Sequence, residues 1–170
     1  GNNAAGGGYV CVDLRTGEEI YWQNETMPSF GQLYDYESLN QHGVIANGYL
    51  WRSVTAAGVT TWMAMDPWNG NWLFNLTNVP SGTEVYGPNG EILRYVLDAA
   101  NKWLALWNNT CEQQGLHGAL GTGSSAYQWR PIGKTVNMSK AYSWNVTIPT
   151  LPTGATIVRV IHDDILLGRS

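Results

Sequence analysis

The chain of 170 residues carries a formal net charge of −4, only 13% charged residues, and 20 glycines, 7 prolines and 9 tryptophans. This length suits about one domain with its own core, and the composition is typical of a turn-rich β protein rather than a helical one. The nine Lys and Arg residues are scattered, which excludes a basic nucleic-acid surface, and no stretch approaches the roughly 20 apolar residues that a membrane span needs.

The first predicted element is a β-hairpin in GGGYVCVDLRTGEEIYW, residues 6–22. Residues 9–14 alternate as a strand does, and residues 18–22 predict a second strand. Asp13 and Gly17 lie between them and are residues that turns favour. We therefore expect a tight hairpin at the start of the chain.

The same pattern returns in TTWMAMDPWNGNWLFNLT, residues 60–77, where Asp66 and Gly70 take the positions of Asp13 and Gly17. A recurring hairpin indicates a repeat architecture. The pattern resembles the blade signature of the pyrroloquinoline-quinone-like β-propeller repeat family, also called quinoprotein-like propellers. The resemblance implies an all-β fold of four-stranded antiparallel blades, in a non-catalytic member or a fragment. It also implies that aromatic residues dock one blade on the next, here Trp22, Phe74, Trp107 and Trp144.

Residues 24–42 combine a Met-Pro-Ser turn with aromatic and acidic residues, which predicts a short outer strand within a long loop. Asp35 and Glu37 would share one face of an extended segment, as the carboxylates of a calcium site or a glycosidase do. Isolated acidic pairs are usually a solvated edge, and we favour that interpretation.

Turn residues divide the remaining chain into short strands that build two further units. The strands predicted for the second unit are 48–54, 60–66, 71–77 and 83–86. Those predicted for the third unit are 91–97, 102–108, 141–148 and 155–161, with a loop insertion at 109–140. Residues 163–168 resemble the first strand of another blade, so the expected units are 163–170 together with 1–46, then 47–88, then 89–162.

Counted in this way, residues 1–170 hold the strands of about three blades. Propellers typically have about four to eight blades. A three-blade arc would leave two apolar end faces open to water. We therefore expect this chain, which does not begin with methionine, to be completed by the remainder of a longer polypeptide or by copies of itself.

Five Asn-x-Ser/Thr triplets occur, against about two expected by chance, and four of them follow aromatic strands. They begin at Asn24, Asn75, Asn108, Asn137 and Asn145. Two interpretations stay open: glycan acceptors on a secreted or cell-surface chain, or turn residues where strands end.

Two cysteines, Cys11 and Cys111, are too few for a disulfide framework. Cys11 lies in an apolar strand, where a cysteine is most often a small buried hydrophobe. Cys111 lies in a polar loop, so a bond between the two is a second, less favoured interpretation.

No catalytic or metal-binding pattern stands out. A quinoprotein dehydrogenase needs adjacent cysteines and a cluster of carboxylates and asparagines around a metal, and neither can be matched here. His42, His117 and His162 have no metal-ligand spacing, and we expect solvated or hydrogen-bonded loop residues. In His162-Asp163-Asp164, adjacent strand positions would point to opposite faces, which argues against a shared site. We expect no cofactor.

These features favour an extracellular or cell-surface, structural or adhesive β-propeller segment without enzymatic activity. The alternative is a glycan- or peptide-binding module that uses loops at 27–42 and 110–139, with Trp68 and Trp129 as aromatic platforms. A quinone-dependent oxidoreductase is the least supported class. Nucleic acid and a membrane span are not expected.

Overall fold

The computed structural model of the chain describes residues 7–33, 48–110 and 131–169. In these ranges the regular secondary structure consists of β-strands alone, which confirms the predicted all-β class. The strands are β1 Tyr9–Val12, β2 Glu19–Gln23, β3 Phe30–Gln32, β4 Tyr49–Ala56, β5 Val59–Met65, β6 Trp72–Thr77, β7 Thr83–Tyr86, β8 Ile92–Asp98, β9 Trp103–Asn108, β10 Thr135–Asn137, β11 Tyr142–Thr147, β12 Thr156–Ile161 and β13 Ile165–Arg169.

The strands form two larger sheets and two separate hairpins. We call the sheet of β3, β4, β5 and β6 the first sheet; its pairs are antiparallel, and β10 joins it parallel to β6. The second sheet is fully antiparallel in the order β7, β8, β9 and β11. Strands β1 and β2 form one hairpin, and β12 and β13 form the other.

The two larger sheets pack face to face around an aromatic core. The core side chains that are almost fully buried come from both sheets: Tyr49, Trp51, Trp62, Phe74, Leu76, Ile92 and Trp107. The rings of Trp62 and Trp107 meet edge to face across the interface, with centroids 5.6 Å apart. Such a pair contributes about 0.5–1.5 kcal/mol beyond the burial of its area, so the tryptophans fix how the sheets stack.

The hairpin β1–β2 lies on the other face of the first sheet and contacts its β5–β6 turn. The Tyr21 hydroxyl donates to the carbonyl of Pro67 over 3.1 Å, and the Gln23 amide donates to the carbonyl of Asn69 over 3.0 Å. These bonds hold the inner face of the hairpin on the sheet.

The hairpin β12–β13 covers the other face of the second sheet. Ile157 and Val160 pack on Leu93, Tyr95 and Leu106, which are nearly fully buried. The chain is therefore a stack of four layers: hairpin β1–β2, the first sheet, the second sheet, and hairpin β12–β13.

The position of strand β8 between two layers explains why its sequence is apolar almost throughout. Ile92 and Val96 face the first sheet, whereas Leu93 and Tyr95 face hairpin β12–β13. Because both faces are covered, both sets of alternate residues are apolar, and a one-sided alternation is absent.

The two predicted hairpins share one turn geometry. Gly17 and Gly70 both have φ of 73°, and each donates its N–H over 2.8 Å to the carbonyl of an aspartate, Asp13 or Asp66. A β-bulge precedes each aspartate at the same position. The recurrence predicted from sequence is thus confirmed in the backbone, and glycine is favoured because φ at this position lies in the left-handed region.

A third turn, between β8 and β9, has similar chemistry without a glycine. The Asp98 carboxylate accepts bonds from the backbone and side-chain nitrogens of Asn101 over 2.9 and 2.8 Å. Lys102 occupies the left-handed position with φ of 59°. No bulge interrupts β8 and β9, so this hairpin is a variant of the first two.

Strand pairing divides the chain differently from the predicted units. Strand β7, assigned to the unit 47–88, pairs with β8 in the next sheet. Strand β12, expected to complete the unit 89–162, pairs with β13, which covers most of 163–168. Pro80-Ser81-Gly82 therefore connects two sheets instead of turning within one.

Of the predicted outer strand in 24–42, the structure describes β3. Of the insertion predicted at 109–140, it describes 109–110 and 131–140. There β10 lies parallel to β6 on the first sheet, and the buried Met138 accepts a bond through its carbonyl from the Trp107 indole over 3.0 Å. The insertion thus ties the second sheet to the edge of the first.

Candidate functional site

The outer surface of hairpin β1–β2 is apolar and exposed. Val10 and Trp22 are directly paired across the hairpin and are 52% and 44% exposed. Val12 and Ile20 are exposed beside them. We call Val10, Val12, Ile20 and Trp22 the N-terminal outer face. Contiguous apolar patches larger than a few hundred Å² are rare on monomeric proteins and often mark interaction sites.

The outer surface of hairpin β12–β13 has a similar character. Ile161 and Leu167 are 60% and 57% exposed, and Arg159 lies opposite Leu167 in the hairpin. We call Arg159, Ile161 and Leu167 the C-terminal outer face. The two outer faces close opposite ends of the four-layer stack.

A buried polar network ties the two larger sheets together. The Asn109 side chain donates to the Gln32 carbonyl oxygen over 3.1 Å and accepts from the backbone N–H of Ile92 over 2.9 Å. The Trp51 indole donates to the same Gln32 oxygen over 3.0 Å, and the Gln32 amide donates to the carbonyl of Gly90 over 2.8 Å. The bonds of Asn109 and of the Trp51 indole are buried, where an unmade bond is costly, and the bond to Gly90 is partly buried.

Arg94 makes a second polar link at the same interface. Its guanidinium lies 4.6 Å from the ring centroid of Trp62 in the first sheet. It pairs with Glu84 at 2.8 Å and donates to the carbonyl of Pro80 over 2.7 Å. The long side chain crosses from one layer to the next, and its charge is compensated on its own sheet.

The structure places the predicted docking residues in two environments. Phe74 and Trp107 are fully buried between the two larger sheets. Trp144 is 37% exposed on the opposite face of the second sheet, where its ring meets that of Tyr95 at 5.9 Å. Trp22 lies on the N-terminal outer face. A docking role for Trp22 and Trp144 stays a prediction.

All five predicted glycan acceptors lie in described residues. Asn24, Asn137 and Asn145 are exposed, whereas Asn75 and Asn108 are partly buried. The Asn75 side chain accepts a bond from the Trp72 indole over 2.8 Å. Exposure alone thus permits modification at three sites more readily than at two.

Cys11 is half-buried on the inner face of hairpin β1–β2, close to Tyr21. Cys111 lies outside the described residues, so the predicted bond between the two cysteines stays a prediction. Burial first, and then the Cys11 thiol and the Tyr9 phenol, raise the pKa of Tyr21 to about 12. The inner face of this hairpin therefore favours the neutral phenol.

His162 belongs to a small polar cluster that sequence reasoning dismissed. Its Nδ1 lies 3.0 Å from the Tyr95 hydroxyl, and its Nε2 lies 3.3 Å from the Asp163 carboxylate. The argument that adjacent residues point apart was wrong, because His162 and Asp163 lie in a turn and not in a strand. Asp163 has φ of 61°, which lets its side chain fold back toward the ring.

The other candidates from the sequence fall outside the described ranges: His42, His117, Asp35, Glu37 and Trp129. Within the ranges that are described, no group of three or more His, Cys, Asp and Glu residues is arranged to hold a metal ion. The same residues include no helix with the length and apolarity needed to cross a membrane.

Sequence reasoning missed the interface polar residues. Nothing in the local pattern marks Gln32, because Gly90 and Asn109 lie 58 and 77 residues away. The contact of Arg94 with Trp62 likewise joins two sheets whose stacking no local pattern predicts. Asn109 stands within the Asn108 triplet, where its neighbour drew attention as a glycan acceptor instead. No protein-family model, curated protein or solved structure matches the chain.

Proposed function

We propose that this chain is a structural segment of an extracellular β-propeller-type assembly, whose two outer faces bind further layers of the same kind. One observation carries the proposal: both end layers are two-stranded hairpins that bury their inner faces and expose apolar outer faces. Those further layers come from the remainder of a longer polypeptide or from copies of this chain.

The interior of the stack indicates how such a face would be covered. Between the two larger sheets, aromatic rings interdigitate and Arg94 spans the interface onto Trp62. Burying apolar area in this way contributes about 25 cal/mol per Å². Trp22 and its neighbours on the N-terminal outer face present the same kind of surface without a cover.

The two ends differ in charge. Glu18 and Glu19 are exposed at the N-terminal hairpin, with Glu19 directly opposite Val12. Arg159 lies within the C-terminal outer face, whereas Asp163 and Asp164 are exposed in the β12–β13 turn. Contact between Arg159 of one chain and Glu19 of the next would favour head-to-tail association over contact between identical faces.

Head-to-tail contact between unlike faces builds a ring where the rotation between neighbours closes, and an open filament where it does not. The resemblance of the repeated Asp13 and Asp66 turns to a propeller repeat supports this geometry. In that interpretation, each of the two larger sheets is a blade, and the hairpins are parts of the neighbouring blades.

An extracellular location rests on the five Asn-x-Ser/Thr triplets, of which Asn24, Asn137 and Asn145 are exposed. Intact mass spectrometry of the chain secreted from a eukaryotic host tests it. We expect added glycan mass that is lost on enzymatic deglycosylation. An unmodified mass in the secreted chain would contradict the glycoprotein part of the proposal.

The structural role is tested by sedimentation over a range of protein concentrations. We expect the unmodified chain to associate, and Trp22→Lys to reduce association because a charge would have to be desolvated at the interface. Leu14→Lys is the matched control, since Leu14 is 97% exposed in the turn of the same hairpin and lies off the outer face. A chain that stays monomeric at every concentration would contradict association of copies.

One observation favours a second function, the binding of a glycan or peptide. Trp68 is 62% exposed at the rim of a 250 Å³ groove that Leu33, Tyr49 and Pro67 also line. An exposed aromatic ring beside a groove can stack on a sugar. A glycan array with the unmodified chain and Trp68→Ala tests this function; binding that Trp68→Ala does not weaken would exclude the groove as its site.

A further inference from the structure

The hairpin β12–β13 corresponds to the first two strands of the second sheet. Val160, which packs on the second sheet, pairs with Leu166, as Tyr86 pairs with Ile92 in β7 and β8. Strand β12 contacts β7 of the layer beneath it. In the second sheet, β8 continues through a turn into β9, but among the described residues β13 pairs with β12 alone.

A groove runs beside β13, between the hairpin and the second sheet. It comprises two cavities of 440 and 320 Å³, and Leu104 of β9 and Leu166 of β13 line both. Its further walls include Leu97 and Ile148 at one end and Trp144 at the other. The two cavities thus share walls along β9 and β13.

The second sheet is covered unevenly on this side. Under the hairpin, Tyr95 and Leu106 are 5% and 4% exposed. Beyond β13, on the neighbouring strand β11, Trp144 and Val146 are 37% and 48% exposed. The uncovered strip lies where a third strand of the terminal layer would pass.

The geometry points to a β-strand acceptor site: the edge of β13 that no described strand pairs, together with the groove beside it, takes one further extended segment, antiparallel to β13. Its alternate inward residues are large and apolar and fill the groove over Leu104 and Trp144. This inference deepens the proposed function and rests on it, because it identifies the chemistry of the strand that completes the terminal layer.

An extended peptide fits the edge of β13 and the groove beside it better than a small apolar ligand does. The edge of a strand offers unpaired backbone N–H and C=O groups, which another strand satisfies and a hydrocarbon does not. Strand β13 has five residues, a length of about 16 Å at roughly 3.3 Å per residue. The side walls supply apolar pockets for every second side chain.

The chain itself contains a strand with the residue pattern that this groove would accept. In β9, Trp103, Ala105 and Trp107 face the first sheet from the position after β8. A strand of this pattern beside β13 would place its tryptophans in the groove. In the second sheet, Trp107 pairs with Arg94. Gly168 holds the position of Arg94 in β13, so the corresponding tryptophan of the added strand would meet no side chain there.

The test is a variant in which Ser170 is replaced by a second copy of residues 96–108, which supplies the turn and the strand in the same molecule. Hydrogen exchange is followed at the amides of β13. We expect exchange to slow by about tenfold or more, because this edge of β13 becomes paired. The matched control carries the same extension with both tryptophans of the copy replaced by serine, and its β13 amides should exchange as in the unmodified chain.

A peptide experiment keeps the inference testable if the extended variant does not fold. A peptide of residues 102–108 with lysines added at both ends is titrated into the unmodified chain, and amide shifts are followed by NMR. Saturable changes confined to β13 and β11 are expected; their absence at about 1 mM peptide, or equal exchange in the extension and its serine control, would overturn the inference. Neither measurement needs self-association. A chain that stays monomeric in sedimentation but accepts the added strand beside β13 would support the inference and contradict only the association of copies.

Discussion

At the scale of single residues, the interface between the two larger sheets depends on polar groups as well as on tryptophans. Asn109 satisfies partners in both sheets, since it bonds Gln32 of β3 and the backbone of Ile92 in β8. Removing its side chain leaves both partners buried without that bond. The fold therefore depends on a residue that hydrophobic patterning does not identify.

Asn109→Ala should lower the free energy of unfolding by about 1–3 kcal/mol, because the buried N–H of Ile92 loses its acceptor, whereas the Gln32 oxygen keeps its bond from the Trp51 indole. Chemical denaturation measures the loss. The substitution keeps the Asn108 triplet intact, so glycosylation is not a confounding change. Asn71→Ala, at an exposed turn position, is the control and should stay within about 0.5 kcal/mol of the unmodified chain; equal effects would show that the network does not matter.

Ionisation of Tyr21 should make the stability of the folded chain depend on pH in the alkaline range. Its pKa is raised to about 12 in the folded chain from an ordinary value of 10.0, so the unfolded chain releases this proton first as pH rises. The stabilising contribution is therefore complete below pH 10 and declines from there toward pH 12. We expect the thermal midpoint to fall over this window and to fall less in Tyr21→Phe, with tyrosinate absorbance reporting ionisation. A fall of equal size in both proteins would contradict the assignment to Tyr21.

At the scale of elements, Gly17 and Gly70 permit a comparison within one turn type. Both have φ of 73°, but a Cβ at Gly17 would meet nothing within 4 Å, whereas one at Gly70 would lie 2.7 Å from atoms of both Tyr21 and Gln23. The Gly70 position thus carries backbone strain and a contact between layers. An alanine substitution at each of the two glycines therefore separates backbone strain from the contact between layers.

Gly17→Ala should cost about 1–2 kcal/mol from the left-handed backbone alone. Gly70→Ala should cost more, and it should also loosen hairpin β1–β2 from the first sheet. Denaturation gives the difference in stability, and hydrogen exchange in β1 and β2 shows whether the hairpin detaches. Equal costs with unchanged exchange would contradict the packing of hairpin β1–β2 on the β5–β6 turn.

The third turn offers the reverse change. Lys102 adopts φ of 59°, a conformation that costs a non-glycine residue about 1 kcal/mol. Lys102→Gly should therefore raise the free energy of unfolding by about 0.5–1 kcal/mol. Lys134→Gly, outside this turn, is the control and should not stabilise the chain. A loss of stability in Lys102→Gly would indicate that the lysine side chain contributes more than its backbone costs.

The strands could be predicted from the sequence because turn residues bound them locally. Observed β4 to β9 lie within one or two residues of the predicted ranges, and Asp13 and Asp66 identified the repeated turn. Sheet membership could not be predicted, because the segment 80–82 reads as a turn whether it joins strands of one sheet or of two. The parallel pairing of β10 with β6 depends on contacts about 60 residues apart, which no local pattern encodes.

The site was predictable only in part, for the same reason. The tryptophan-rich strand ends predicted that aromatic residues pack between layers, and Phe74 and Trp107 do lie between two sheets. Which aromatic residues stay exposed depends on the number of layers that follow. Tyr21, which takes the position of Phe74 in the repeated hairpin, contacts the first sheet, whereas Trp22 lies on the opposite face of its hairpin, where it is 44% exposed and no described residue covers it.

At the scale of the whole molecule, head-to-tail association requires unlike faces at the two ends of the stack. The N-terminal outer face has acidic neighbours, and the C-terminal outer face contains Arg159. In head-to-tail association, the N-terminal outer face of one chain would bind the C-terminal outer face of the next. A charge placed on one outer face should therefore leave binding through the other face intact.

Mixing two half-blocked variants measures this polarity most directly. Trp22→Lys closes the N-terminal outer face, and Leu167→Lys closes the C-terminal outer face. In sedimentation at equal concentrations, we predict that each variant alone is monomeric and that the mixture forms a one-to-one dimer through the two intact faces. A mixture that remains monomeric, or self-association of either variant alone, would contradict head-to-tail stacking.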